Sequence, residues 1–300
     1  SILERLSGPL CAAVTQTPRA QMILEMLERK NLFLVPLDDQ RRWYRYHHLF
    51  ADVLQTHARN RLPDQISTWH QRASIWFAAQ DILPDAIPHA LAAWDFPAAA
   101  RLLELLRFQI DGSYQVYQWL RWVEQLPSAL FKNRPVLAAG YGWALLENGE
   151  LAASVPYFTQ AERVVASPPS DLIVYNKAQW RVMPALLANA RGYRLMSEGD
   201  VAGAAQHARQ ARDFFAPDEH HYWHQVALSL LGVAHWIAGD IPAAAHSFAQ
   251  STEEFLQAGK IVDAISTAMV LIEFQIELGR LKQAEETLNR MVQIAVLPEG

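Results

Sequence analysis

Four short stretches decide how this chain folds: Leu146-Glu147-Asn148-Gly149-Glu150, Met196-Ser197-Glu198-Gly199-Asp200, Ile237-Ala238-Gly239-Asp240 and Glu277-Leu278-Gly279-Arg280. Each ends an apolar helical pattern on glycine, the residue that adopts left-handed C-cap geometry without steric cost. The glycines are spaced 50, 40 and 40 residues apart. Seven residues before them stand Gly142, Gly192, Gly232 and Ile272; five after stand Ser154, Ala204, Ala244 and Ala284; nine after stand Phe158, Ala208, Phe248 and Leu288. Small residues in register let two helices approach closely, so the pattern reads as stacked antiparallel helix pairs of tetratricopeptide kind. The 40-residue spacing exceeds the usual ~34 and predicts helices longer than standard.

Upstream, the pattern changes twice. Between about residues 63 and 130, four helical segments follow one another with short connections, and Pro84 and Pro97 stand where helices start. Before that, Ile2 to Val14 has helical spacing, and Pro18 can open a second helix through Met22 and Leu27. Leu32 to Leu37 is short, apolar and extended; Asp38-Asp39-Gln40 is a turn; Arg42 to Tyr46 returns with β-prone aromatics. A helix through Leu49, Phe50, Val53 and Leu54 follows. Helix, helix, hairpin is the order of a winged helix.

The predicted fold class is therefore all-α: a right-handed α-solenoid of tetratricopeptide-like helix pairs, preceded by a small winged-helix domain with a β-hairpin. The predicted domains are a winged helix over residues 1–62, helical linker repeats over 63–133 and tetratricopeptide-like repeats over 134–300, with the two helical zones forming one continuous array.

The bulk composition excludes several classes. Of 300 residues, 51% are hydrophobic and 19% charged, enough apolar material for a core and too much for a disordered chain. The net charge is −5, so no overall positive field draws nucleic acid. No apolar run reaches the ~18 residues of a membrane span, and no signal peptide is visible. One cysteine, Cys11, forms no internal disulfide and fits a reducing cytoplasm. The chain opens on Ser1 without an initiator methionine and runs straight into apolar sequence, which reads as a fragment starting inside a structured region.

Three clusters of residues carry a family resemblance. They are Ser7-Gly8-Pro9-Leu10; Leu27 through Asp39; and Arg42-Trp43-Tyr44-Arg45-Tyr46-His47-His48-Leu49-Phe50. With Ala86 to Ala93, Ala98 to Leu102, Trp119-Leu120 and Leu126-Pro127, they resemble the MalT-like, LuxR-type ATP-dependent regulators over residues 1 to about 165. The resemblance implies a nucleotide-binding domain, a winged helix, a helical-repeat sensor and a C-terminal DNA-binding helix-turn-helix. It also implies that inducer and ATP together drive self-association. This sequence has no G-x-x-x-x-G-K-[ST] phosphate loop and no basic C-terminal helix-turn-helix, so ATP or ADP and DNA are expected on other parts of a full-length protein. The resemblance further implies that His47, just after the wing, contacts the β-phosphate of ADP in the full-length protein. The other reading is that His47 and His48 only pack or cap a helix start.

The remaining candidates divide between chemistry and packing. Arg41, Arg42 and Arg45 among Trp43, Tyr44 and Tyr46 suit a nucleic-acid wing, but strand alternation splits them between two faces and favours a domain contact. His220, His221 and His224 beside Glu219 contain a one-turn histidine pair; with no further ligand in fixed relation, a polar helix start is the reading, and no metal is expected. Cys11 reads as core. No serine-histidine-aspartate signature and no dinucleotide motif occurs, so no catalytic residue is assigned.

The first helix of each tetratricopeptide pair lines a concave face, at positions three, six, ten and thirteen before the turn glycine. That rule selects Trp143, Asn189, Tyr193, Trp236 and Glu273 as a surface for a small-molecule inducer or regulatory protein, with rings for apolar faces and polar groups for hydroxyls or amines. The competing reading is that tight curvature turns the aromatics into core. The expected function is the sensor and oligomerisation arm of an ATP-dependent transcriptional activator. The alternatives are a free-standing helical-repeat adaptor and a winged-helix DNA-binding protein.

Overall fold

The computed structural model describes residues 2–110, 113–216 and 221–296. It is built of helices and one two-stranded antiparallel hairpin, and it groups into two compact units: residues 1–107 with 121–130, and residues 108–120 with 131–300.

In the first unit, α1 (Gly8–Thr15) starts where the Ser7 hydroxyl accepts from Leu10 N at 3.3 Å and Pro9 fills the first turn. Helical structure from Ile2, as the spacing predicts, does not form. Leu6 instead exchanges two backbone hydrogen bonds with Tyr44, at 2.7 and 2.8 Å. A strand partner distant in sequence overrides a weak local preference. After α2 (Ala20–Arg29), β1 (Leu34–Pro36) pairs with β2 (Tyr44–Tyr46), Leu34 opposite Tyr46. The Asp38 carboxylate closes the turn by accepting from Arg42 N and Trp43 N at 3.0 and 2.9 Å, which holds its pKa below the usual range. Tyr44 is fully buried at the centre.

Four helices follow: α3 (His48–Arg61), α4 (Pro63–Ala79), α5 (Leu83–Ala92) and α6 (Phe96–Leu106). Arg72 Nη1 donates to Val14 O at 3.1 Å, and Arg5 meets Asp85 at 3.2 Å while lying over the Trp43 ring. These contacts tie α4 and α5 to the winged-helix elements.

The second unit takes in most of α7 (Ser113–Val123), up to Leu120, and the chain from Phe131 onward. It contains α8 (Pro135–Glu147), α9 (Leu151–Ala166), the short α10 (Lys177–Arg181), α11 (Met183–Ser197), α12 (Val201–Asp213), α13 (Tyr222–Ile237), α14 (Ile241–Gln257), α15 (Ile261–Glu277) and α16 (Leu281–Val296). Neighbouring helices pack pairwise in chain order. The turn glycines cap as expected: Gly239 has φ 79°, its N–H bonds Trp236 O, and Asp240 N bonds His235 O, both at 2.9 Å. The Asp240 side chain then caps α14 through Ala243 N at 3.1 Å. Gly259, φ 70°, plays the same part at the end of α14, where the sequence pattern raised no signal.

The glycines seven residues upstream sit where helices touch. A Cβ on Gly232 would lie 2.6 Å from the Phe248 ring, and one on Gly192 would lie 2.5 Å from Leu230 Cδ2. α13 to α16 run 16 or 17 residues each, longer than a standard repeat helix, as the 40-residue spacing requires.

In the first unit, α4 and α5 meet through a histidine pair. His70 Nδ1 lies 2.7 Å from His89 Nδ1, and His89 stacks on Phe77 with ring planes 7° apart. One nitrogen must donate and the other accept, so two imidazolium ions do not fit. Burial, and then the His70 charge, push His89 down to about 4; burial lowers His70. The unfolded chain therefore binds more protons than the folded one below the ordinary histidine pKa of ~6.5, and stability falls as pH drops from there toward about 4. The urea midpoint of the first unit should fall between pH 7.5 and 5.0, and His89→Gln should flatten that dependence. An equal fall in both proteins would dissociate the pair from acid sensitivity.

Candidate functional site

Two places bring together residues that the sequence singles out. The first is the start of α3. His47 is its N-cap: its N–H bonds Phe33 O at 2.8 Å, and its carbonyl accepts from Phe50 N and Ala51 N. The imidazole is exposed and lies 4.4 Å, ring to ring, from His48. An exposed donor at a helix N-terminus, where amide groups converge, suits a phosphate. Around it the surface is apolar: Phe33, Val35, Leu37, Leu49 and Val53 are exposed, the last two by 64% and 62%. Exposed large apolar side chains on the hairpin and on the start of α3 suit a contact face. The wing arginines do not form one basic patch, since Arg41 is held by Glu28 at 3.0 Å while Trp43 packs edge-on against Trp76.

The second place is the inner side of the repeats, where the five selected residues do not converge. Trp143 on α8 is 3% exposed and meets Trp223 on α13 and Tyr193 on α11, with ring centroids 4.7 and 5.8 Å apart. Asn189 is fully buried and donates from Nδ2 to Trp223 O at 2.8 Å. Burial first, then the Glu147 and Asp263 carboxylates, push the Tyr193 phenol up to about 12. Trp143, Asn189 and Tyr193 thus form one cluster around Trp223, whose indole N–H is taken by Gln179 Oε1. Trp143 Nε1 and Asn189 Oδ1 are buried in it with no hydrogen-bond partner among the described residues. Trp236 is 52% exposed and touches Phe274, and Glu273 is exposed on α15. Large rings on α8, α11 and α13 fill the space between the helices at the first repeats, while Trp236 near the end of α13 and Glu273 on α15 are exposed.

Sequence reasoning missed a buried polar ladder between α13 and α14. His224 Nδ1 lies 2.8 Å from Glu254 Oε2, Gln225 Nε2 donates to Glu254 O, and Ser251 Oγ donates to Gln225 O. The polar helix start expected here is present, since His221 caps α13 by accepting from Trp223 N, and His224 in its first turn also meets a carboxylate. Its membership in the Glu219–His220 cluster lies outside the described residues. Among the described residues no group of three histidine, cysteine, aspartate or glutamate side chains is arranged to hold a metal, and no helix is long and apolar enough to cross a membrane. Burial raises the Cys11 thiol to about 11, while the residue as a whole is half-buried on α1 rather than in the core.

A winged-helix domain followed by paired-helix repeats defines the class of protein. Residues 1–66 match the family model of the MalT winged helix domain. Over nearly its whole length the chain is similar to the HTH-type transcriptional regulator MalT of Yersinia pestis: 26% identity over 299 residues, 98% of this chain and 32% of the relative. It is 32% identical over 144 residues to the serine/threonine-protein kinase PknK of Mycobacterium tuberculosis, covering 48% of this chain and 13% of the kinase. The chain thus spans a third or less of the length of these relatives. Among solved structures, the apo form of the quorum sensor NprR from B. thuringiensis aligns over 95% of this chain and 96% of its own, with 9% identity and a TM-score of 0.40, too low to bear on function.

The geometry separates the two tryptophans selected from the sequence. Trp143→Ala should lower stability by about 3–5 kcal/mol, as expected for a buried ring, and Trp236→Ala by less than about 1 kcal/mol. Urea unfolding of both variants checks this; equal losses would contradict the packing described.

Proposed function

We propose that this chain is the regulatory region of a MalT-like, ATP-dependent transcriptional activator, acting in the cytoplasm. In this reading the repeats receive a small-molecule inducer or a regulatory protein, and the winged helix passes that state to a nucleotide-binding domain. The observation that carries it is the MalT-type winged helix joined to paired-helix repeats, with similarity to MalT running through both. The apolar surface around His47 supports the contact with a further domain: an exposed imidazole at a helix N-terminus, ringed by exposed side chains, suits a phosphate held at a domain interface.

The chain itself performs no catalysis in this reading. ATP or ADP and DNA are bound by other domains of the full-length protein, and self-association follows from their joint occupancy. The kinase similarity supports an input role, because related sequence accompanies a named output other than transcription.

The test is His47→Ala in the full gene product. Loss of one hydrogen bond to a charged phosphate, about 1.5–3 kcal/mol, should weaken ADP binding by roughly 10- to 100-fold and raise inducer-independent transcription. Unchanged ADP affinity with unchanged basal transcription would remove His47 from the switch and with it the proposed coupling of the winged helix to the nucleotide.

A further inference from the structure

The repeats contain one joint unlike the others. Each second helix of a pair packs on the first helix of the next, through the second, sixth and ninth residues after its turn glycine. At the joint between α12 and α13 these are Val201, Ala205 and Ala208, meeting Leu230, Leu231 and Ala234 in one apolar cluster. At the joint between α14 and α15, Ile241, Ala245 and Phe248 meet Val270, Leu271 and Phe274 in the same way. The register places Leu151, Val155 and Phe158 on α9 opposite Ala190, Arg191 and Arg194 on α11. Two arginines stand where the later joints have leucine and alanine or phenylalanine.

Clefts lie at two of the joints, and the one at α12–α13, about 420 Å³, is walled mainly by alanine and aliphatic side chains. A cleft of about 210 Å³ lies between α9 and α11, lined by those six residues together with Ser154, Thr159 and Glu162. The connection before α11 carries the ten additional residues that make the first repeat spacing 50 rather than 40, and it includes α10. Arg191 Nε donates to Glu162 Oε1 across the cleft, and Arg194 Nη1 donates to Glu198 one turn along its own helix at 3.0 Å. Such partly exposed ion pairs contribute little to stability, much less than the apolar contacts they replace. A departure from the packing rule that costs stability at a single joint is the mark of a functional site.

We propose that the α9–α11 cleft binds a compact organic carboxylate. Its lining supplies two guanidinium groups, Arg191 facing Glu162 across the cleft and Arg194 paired along its own helix with the exposed Glu198, which a ligand carboxylate would replace. Glu162 already shows how a carboxylate sits on Arg191, and a ligand carboxylate would be received by the same fork and by Arg194. Phe158, Val155 and Leu151 offer an apolar floor for a short aliphatic part, and the cavity is smaller than the ~300 Å³ at which drug-sized sites begin. A phosphate dianion is disfavoured by Glu162. The cleft adjoins the cluster around Trp143 through Phe158, whose ring meets the Trp143 ring edge-on at 6.5 Å. Binding does not depend on the regulatory reading; only its use as an inducer input rests on it.

The test uses hexanoate as probe, with 1-hexanol and inorganic phosphate as controls, titrated calorimetrically into the whole chain. Hexanoate should bind saturably, and at least about tenfold tighter than either control, the scale of one charge-assisted hydrogen bond. Arg194→Gln should weaken hexanoate at least about tenfold while leaving the melting temperature near that of the parent. The double variant Arg191→Leu, Arg194→Phe, which copies the last joint, should abolish binding and melt no lower than the parent. Hexanoate binding no tighter than hexanol, absence of saturable binding, or undiminished binding to Arg194→Gln would each overturn the proposal.

Discussion

The helix pairs of the second unit depend on how near two backbones come at positions without a side chain. Gly142, Gly192 and Gly232 all lie where an added Cβ would press on a neighbouring side chain: the Phe158 ring at 3.1 Å, Leu230 at 2.5 Å and the Phe248 ring at 2.6 Å. Glycine inside a helix costs about 1 kcal/mol relative to alanine, so its presence there is offset by the contact it permits. A phenylalanine from the partner helix fills the space at Gly142 and Gly232, and Leu230 of the next pair fills it at Gly192.

From that spacing follows what the inner face can be. With the pairs close, Trp143, Tyr193 and Trp223 meet one another rather than solvent, and Asn189 is spent on the Trp223 carbonyl. Farther along, α13 and α14 are held by polar bonds through His224, Gln225 and Glu254. The face is open near Trp236, Met269 and Ile276, which are more than half exposed. The joint between α9 and α11 departs from this packing because the two sides are supplied by helices separated by the longest connection in the array.

How much of this the sequence revealed follows from how local each feature is. Turn glycines, helix pairs and the 40-residue period are set by residues within one repeat, and their spacing displayed them. The wing hairpin was legible for the same reason, through Asp38 and the alternation around Tyr44. The extended segment before α1 was not, because its partner Tyr44 lies nearly forty residues away. The burial of Trp143 and Asn189 was not either: whether a residue on the inner side of a helix faces solvent or a neighbouring ring depends on curvature, a sum over many contacts. The arginines at 191 and 194 could have been noticed by aligning residues before each turn glycine, since leucine, alanine and phenylalanine hold those positions in later repeats. The cleft beside them required the structure.

The central claim is that side-chain-free contacts set the repeat spacing, and Gly232→Ala tests it most directly because two effects oppose each other. If the helices did not touch there, alanine would raise stability by up to about 1 kcal/mol through helix propensity. With the Phe248 ring at 2.6 Å from the new methyl carbon, overpacking should instead lower the free energy of unfolding by about 1–3 kcal/mol. A lower urea midpoint at constant slope is the result this account predicts. A midpoint equal to or above that of the parent would contradict it.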